Sequence, residues 1–290
     1  MIFFLYLLHW KFQIIFALLP PAAALFFMRL SGRITYGIAR HSPIKRMAAK
    51  NLLSLFPAVD ANSLSDKLLS NVSHSIFEVL CTPFFKSSHV EKICTLSGTE
   101  KLDLALAERK GALLLIMHTG NYELIPTALA TRGYHLTSIL KAPPKDPLFK
   151  LVNLSRRYKG TQLINVMEGN MYRLALQALD QGRLVCLLID TGALEGSFEM
   201  FPFLGRQVPV ATGWLTLAQR SGSPVIPVIS RREGEKVLIS IGEPLVVNKS
   251  NRQEVMRKVG NHFERFIQSH PEQWLIFLNE HETRRMVERK

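Results

Sequence analysis

From Ala112 to Ile241 the chain alternates short, unbroken apolar runs with longer stretches whose apolar residues recur at helical spacing, and this pattern restricts the fold more than any other feature. The run ALLLIM (Ala112 to Met117) is too short for a buried helix and predicts a strand with both faces covered. A helix over Asn121 to Thr131 follows and stops at Gly133. The same reading predicts strands at Leu136 to Leu140, Gln162 to Val166, Leu184 to Ile189, Val225 to Ser230 and Val237 to Ile241. Between and after them it predicts helices near Leu148 to Tyr158, at Asn170 to Gln181, at Thr212 to Arg220 and at Arg252 to Ser269. Asp190 to Val210 reads as one long loop, and Ser63 to Phe85 as a helix ahead of the alternating region. Strands that alternate with helices of this length predict an α/β fold, a mostly parallel central sheet with helices on both faces. Chemistry is then expected in loops that follow strand C-termini.

The first thirty residues are different. From Phe12 to Met28 there is no charged residue, a length at the short end of what spans a bilayer, and Pro20 and Pro21 fall in the middle, where they kink or break a helix. A cleaved secretory signal wants a basic leader, whereas the first Lys or Arg here is Lys11. A hairpin buried in the core is a second reading, and a membrane anchor, spanning or re-entrant, is a third. The flank favours the third. Arg29, Arg33, Arg40, Lys45, Arg46 and Lys50 follow with no acidic residue before Asp60, so the positive-inside rule puts the rest of the chain on the cytoplasmic side. The same cations suit anionic headgroups.

Over the whole chain, 36 Lys and Arg against 23 Asp and Glu give a net charge of +13, which calls for an anionic partner. No zinc-finger spacing or RNA-binding string is present, so no nucleic-acid partner is expected, and a phospholipid surface or an acidic protein fits better. The 3 cysteines, Cys81, Cys94 and Cys186, are too few and scattered for a disulfide framework or a zinc site. No metal cluster or dinucleotide fingerprint is visible, so no bound cofactor is expected.

At the end of the first apolar strand stands MHTGNYELIP, Met117 to Pro126. His118 and Glu123 are five apart, wrong for one face of a continuous helix. With His118 in a turn and Glu123 in the first helical turn, the carboxylate can fold back onto the imidazole. Gly120 permits the tight backbone, and Asn121 is a candidate helix cap. A carboxylate on one ring nitrogen leaves the other free to take a proton from a hydroxyl. No Ser or Cys nucleophile accompanies the pair, which favours direct attack by an acceptor hydroxyl over a covalent intermediate. A structural His near a Glu is the plainer alternative from spacing alone.

HTGNYE resembles the H-x-x-x-x-D/E motif of glycerolipid-type acyltransferases, and its wording resembles the lipid A biosynthesis acyltransferases, the late lauroyl/myristoyl transferases. Further stretches resemble that family in order: KAPPKDPLFKLVNLSRRYKG (Lys141 to Gly160), LIDTGALEGSFEMFPFLGRQVPVATGWLTLAQRSGSPVIPV (Leu188 to Val228) and HPEQWLIF (His270 to Phe277). Thr191 and Leu204 depart from the family's usual Gln and Phe, while Glu195, Gly196 and Ser197 look like a block of the glycerol-phosphate acyltransferases.

The resemblance implies a glycerolipid acyltransferase-like fold, with residues 1–30 as membrane anchor and 31–290 as acyltransferase domain. It implies transfer of a fatty acyl chain from an acyl thioester, on acyl carrier protein or coenzyme A, to a hydroxyl of a membrane glycolipid such as a lipid A precursor. His118 is then the general base and Glu123 its orienting partner. Asn121, Arg156, Arg157, Asp190, Gly205 and Arg206 are the expected substrate-binding positions, with oxyanion donors sought in the backbone from Gly205 to Val210. The two arginines would meet a phosphorylated sugar or the acidic carrier, and Trp214 and Trp274 would be core. The expected place is the bacterial inner membrane, cytoplasmic side. A different lipid acceptor, or a non-catalytic lipid-binding relative, are the alternatives.

Overall fold

The computed structural model describes residues 2–141, 147–191 and 198–287. Pro20 and Pro21 divide the N-terminal apolar run into two helices, α1 (Ile2–Leu18) and α2 (Pro21–Ala39), because Pro21 occupies the first turn of α2, where its missing N–H costs nothing. α3 (Pro43–Leu55) and α4 (Ala61–Cys81) follow, and Asp60 caps α4 through the Ser63 N–H at 3.1 Å. α5 (Ser87–Ile93), β1 (Cys94–Ser97) and α6 (Thr99–Ala107) lead into the alternating region, and all three are absent from the sequence reading.

That region follows the predicted order: β2 (Ala112–Ile116), α7 (Leu124–Thr131), β3 (Leu136–Leu140), α8 (Pro147–Arg156), β4 (Gln162–Asn165), α9 (Met171–Asp180) and β5 (Leu184–Leu188). The predicted loop from Asp190 contains a hairpin, β6 (Phe198–Phe203) and β7 (Arg206–Ala211), paired antiparallel as a separate two-stranded sheet. Leu204 and Gly205 both have positive φ at its two-residue turn, the conformation such hairpins need. The remaining elements are α10 (Gly213–Ser221), β8 (Val225–Glu233), β9 (Lys236–Ile241), α11 (Arg252–Ser269) and α12 (Glu280–Val287).

Seven strands form the main sheet in the order β1-β9-β8-β2-β5-β3-β4. Every neighbouring pair is parallel except β8 with β9. β2 lies at the centre, and every one of its residues is buried because helices cover both sheet faces. Leu114 and Ile116 point to one face, where they meet Phe12, Leu25, Phe77 and Leu129 of α1, α2, α4 and α7. Leu113, Leu115 and Met117 point to the other, where α3, α9, α10 and α11 pack with Trp274. The mostly parallel, doubly covered sheet of the sequence reading is the observed one.

The N-terminal pair of helices packs partly into the core, as the hairpin reading expects, and leaves an apolar side uncovered. One side packs on the domain: Phe12 meets Phe77 at 5.9 Å between ring centroids and Phe16 meets Phe85 at 5.5 Å. The other side shows Phe3, Trp10, Leu18, Phe26, Ile34 and Ile38 to solvent. No helix among the described residues is long and apolar enough to cross a membrane. The expected boundary at residue 30 falls inside the unbroken α2, and Arg29 and Arg33 both pair with Glu235 in the turn between β8 and β9.

Candidate active site

β2 ends at Ile116, and the chain leaves the sheet through Met117, His118 and Thr119 at its C-terminal edge. The turn that follows is held from outside. Leu275 N–H donates to the His118 carbonyl at 2.8 Å, Gly120 N–H donates to the Gln273 carbonyl at 2.8 Å, and Thr119 bridges to Trp274. Gly120 has φ +55 and lies against β8, where an added Cβ would stand 2.5 Å from the Ser230 carbonyl oxygen. No other residue fits there.

Next to β2, β5 ends at Leu188 and delivers Asp190 to the same edge. Its carboxylate makes three hydrogen bonds. Oδ1 accepts from His118 Nδ1 at 2.7 Å, and Oδ2 accepts from the His118 backbone N–H at 2.9 Å and from Trp274 Nε1 at 2.9 Å. The Asp190 side chain is fully buried, while the imidazole keeps 22% of its surface exposed. An ionised carboxylate only accepts, so Nδ1 carries the proton and Nε2 of neutral His118 presents a lone pair. Burial pulls the imidazolium pKa down, but the charge and hydrogen bond of Asp190 outweigh it, with smaller help from Glu123 and Glu282, and the net shift is upward. For Asp190 burial pushes upward, and the His118 charge and the three hydrogen bonds reverse it to a lowered value. The two shifts agree: each group holds its partner charged.

The expected bond between His118 and Glu123 is not what forms. Glu123 accepts from Arg156 Nη2 at 2.6 Å and Nε at 3.0 Å, a two-point ion pair in which both side chains are 18% exposed. The reason is positional. At the start of α7 the Glu123 carboxylate faces α8, where a guanidinium fork matches it, whereas Asp190 comes from the strand beside His118. Tyr122 fills the space beside the imidazole, its ring edge-on at 4.7 Å.

Other expectations shift similarly. Asn121 does not cap α7: its Nδ2 donates at 2.7 Å to Glu78 of α4, and the residue is buried. Glu78 in turn pairs with Arg232 of β8 at 2.5 Å, and both are almost entirely enclosed. Gln273 closes the network by accepting from Arg232 N–H at 2.9 Å. Arg156 is committed to Glu123, and Arg157, exposed, follows the last residue of α8 with its N–H on the Asn153 carbonyl. Gly205 is a turn residue of the hairpin, and Arg206 donates to the Ser54 carbonyl at 3.0 Å. The Gly205 to Val210 backbone proposed for oxyanion donors forms that turn and most of β7. Lys145, Asp146, Glu195, Gly196 and Ser197 lie outside the described residues.

Sequence reasoning missed Glu78, Arg232 and Gln273 and placed Trp274 in the core. Trp274 is fully buried, yet its indole N–H orients Asp190. A signal existed for Glu78, a carboxylate on the apolar stripe of α4, between Phe77 and Leu80. For Arg232, in the alternating end of a strand, none did.

Two apolar pockets flank the pair, one on each face of the sheet. The first lies between the β6–β7 hairpin and α11, reaches Met117 and Asp190, and is narrow, with a cavity volume of about 50 Å³. The second, equally narrow at about 50 Å³, lies behind β2, β5 and β3 against α7 and reaches Tyr122, Glu123 and Arg156. Among the described residues no group of three or more His, Cys, Asp or Glu is placed to hold a metal ion.

A histidine–carboxylate pair on loops at the C-terminal edge of a parallel sheet puts this chain among the α/β folds whose loops carry the chemistry. Over residues 1–283 it matches the family described as bacterial lipid A biosynthesis acyltransferase, and it belongs to that family. Curated relatives include a lipid A biosynthesis acyltransferase of Haemophilus influenzae, 25% identical over 266 residues that cover 89% of this chain and 82% of that protein. Another is a phosphatidylinositol mannoside acyltransferase of Mycobacterium tuberculosis, 22% identical over 181 residues, 62% of this chain and 57% of that protein. The chain thus aligns over little more than half the length of the mycobacterial relative. A solved 1-acyl-sn-glycerophosphate acyltransferase from Thermotoga maritima covers 85% of this chain and 98% of its own at 12% identity, with a TM-score of 0.36.

Proposed function

We propose that the chain transfers a fatty acyl group from an acyl thioester to a hydroxyl of a membrane glycolipid, with His118 as general base and Asp190, rather than Glu123, as its orienting carboxylate. The observation that carries this reading is the bond from His118 Nδ1 to the buried Asp190, which leaves Nε2 to receive a proton. The acceptor hydroxyl gives its proton to Nε2 as its oxygen attacks the thioester carbonyl. The tetrahedral intermediate then expels the thiolate, which takes the proton from the imidazolium, so the base is regenerated and protons balance. Asp190 stabilises the imidazolium that exists between the two steps. Glu123, locked to Arg156, braces the wall beside Tyr122.

Family membership supports a lipid acceptor. One relative is named for lipid A and another for phosphatidylinositol mannoside, so a glycolipid acceptor suits both and a lipid A precursor is the first choice. An acidic acyl carrier protein suits the +13 charge as donor, and coenzyme A is the second candidate. The bare apolar side of α1 and α2 fits a helix pair lying in the interface of the bacterial inner membrane on its cytoplasmic side, residues 1–30 supplying most of the anchor.

The test offers purified protein acyl carrier protein and coenzyme A thioesters together with bacterial glycolipid, and follows acylated product by mass spectrometry. His118→Ala should lower turnover by at least about 10²-fold while the protein stays folded. Near-normal turnover in that variant would remove His118 from the chemistry. A wild-type protein that binds lipid but transfers nothing would favour the non-catalytic alternative.

A further inference from the structure

We infer that the ring of Phe201, seated on Gly260, closes the far end of the pocket that takes the acyl chain and so sets the length of chain transferred; the inference rests on the acyl-transfer reading above. Gly260 sits in the interior of α11, where glycine is a poor choice for the helix, so a packing reason is expected. The reason is visible across the pocket. A Cβ added at 260 would overlap Cε1 and Cζ of the Phe201 ring, which is itself buried, at 5% exposure. The ring lies flush against α11 only because residue 260 has no side chain. Any larger residue there drives the ring into the pocket, and any smaller residue at 201 opens space beyond it.

The choice of pocket follows from its walls. In the one between the hairpin and α11, Asp190 is the sole charged residue among the described lining, and its carboxylate is already satisfied by three hydrogen bonds. The rest is apolar but for the unpartnered indole N–H of Trp214, so methylene groups meet hydrocarbon over nearly all of the wall. Asp190 also marks the end next to His118, and Phe203 meets Trp274, the residue bonded to Asp190, while Phe201 stands two positions farther along the same strand, so a chain seated there has its carbonyl end near the base and its methyl end toward Phe201 and Gly260. The pocket on the opposite face carries the Glu123–Arg156 ion pair and the buried, unpartnered hydroxyl of Ser138. Its walls are otherwise as apolar, but they reach Glu123 and Arg156 rather than the carboxylate bonded to His118, so the first pocket is the one that ends at the base.

The experiment offers full-length protein an equimolar ladder of saturated acyl thioesters and reads the product lengths by mass spectrometry. One methylene in an apolar pocket is worth about 10- to 200-fold in discrimination. Phe201→Ala, with Phe201→Leu as a gentler change, should therefore raise the ratio of longer to shorter products by at least about tenfold. Gly260→Ala should move it the other way. The double variant should return toward long chains, because the ring that Gly260→Ala displaces is gone, a coupling that independent effects on stability would not produce. In parallel, displacement of a dansyl-labelled fatty acid by unlabelled fatty acids of graded length reads the pocket without turnover, and its optimum should shift in the same directions. Unchanged length preferences in folded variants would overturn the inference, as would a shift produced by Leu140→Ala in the other pocket instead. Loss of transfer by the wild-type protein, with the binding optimum still moving, would overturn the enzymatic reading and leave the pocket assignment standing.

Discussion

Asp190 concentrates the electrostatics of the site, because three donors converge on a carboxylate that water does not reach. The consequence for stability has two limits. The raised His118 pKa contributes stability that is complete below the ordinary imidazole value of 6.5 and is lost as pH rises through the folded value. The lowered Asp190 pKa contributes stability that is complete above the ordinary carboxylate value of 3.8 and is lost as pH falls through the folded value. The pair is therefore most stabilising between those two ordinary values. The proposed catalysis would run against this, since a base must be neutral. kcat/KM should rise with pH through an apparent midpoint above 6.5, and Asp190→Asn should move that midpoint to lower pH while lowering the plateau. A profile with the same midpoint in both proteins would exclude Asp190 as the partner. The HTGNYE spacing singled out His118 as the proposed base with Glu123 as its partner, because the two are close in sequence, whereas strand pairing brings Asp190, 72 residues away, into hydrogen-bond contact instead.

The elements divide by how local their causes are. β2, β3 and α11 lie where periodicity put them, since apolar runs bounded by glycine, proline or polar residues leave few choices. The β6–β7 hairpin was read as loop because its alternation FEMFPF contains a proline and its turn, Leu204-Gly205, carries an uncommon leucine at positive φ. Packing on α11 overrides both. α1 and α2 show the opposite case, an apolar surplus that the domain does not consume. Replacing Trp10, Phe26 and Ile34 together with Ser should weaken binding to anionic phospholipid vesicles by at least about 10²-fold, since each large apolar group buried contributes about 1.5–3 kcal/mol. The melting temperature should hardly change, because these side chains touch solvent. Deleting 1–30 is a different experiment, for it strips Phe12 and Phe16 from Phe77 and Phe85 and should destabilise the whole domain. Vesicle sedimentation beside thermal unfolding separates the two, and unaltered sedimentation of the triple variant would leave the interfacial role of this face unsupported.

At the scale of the molecule, the site exists only where distant segments meet: α4 through Glu78, the β2 turn, the end of β5, Arg232 of β8, and the stretch from Gln273 to Leu275. Trp274→Phe tests that convergence, because it keeps the ring and deletes one donor to Asp190. A hydrogen bond to a charged group is worth about 1.5–3 kcal/mol, so the variant should lose that much stability and roughly 10- to 100-fold in kcat/KM. Wild-type activity would mean that the indole only fills space. The sequence by itself determined the class of fold and the family, and singled out His118 as the candidate base, because these follow from short-range periodicity, strings that survive in order along the chain and one local motif. Which carboxylate serves His118, where Glu123, Asn121 and Arg156 spend their bonds, and how far the first two helices join the domain were decided by tertiary structure alone. Those outcomes depend on which strand lies beside which and on what each buried polar atom finds within reach, and neither is encoded in the spacing of residues along one segment.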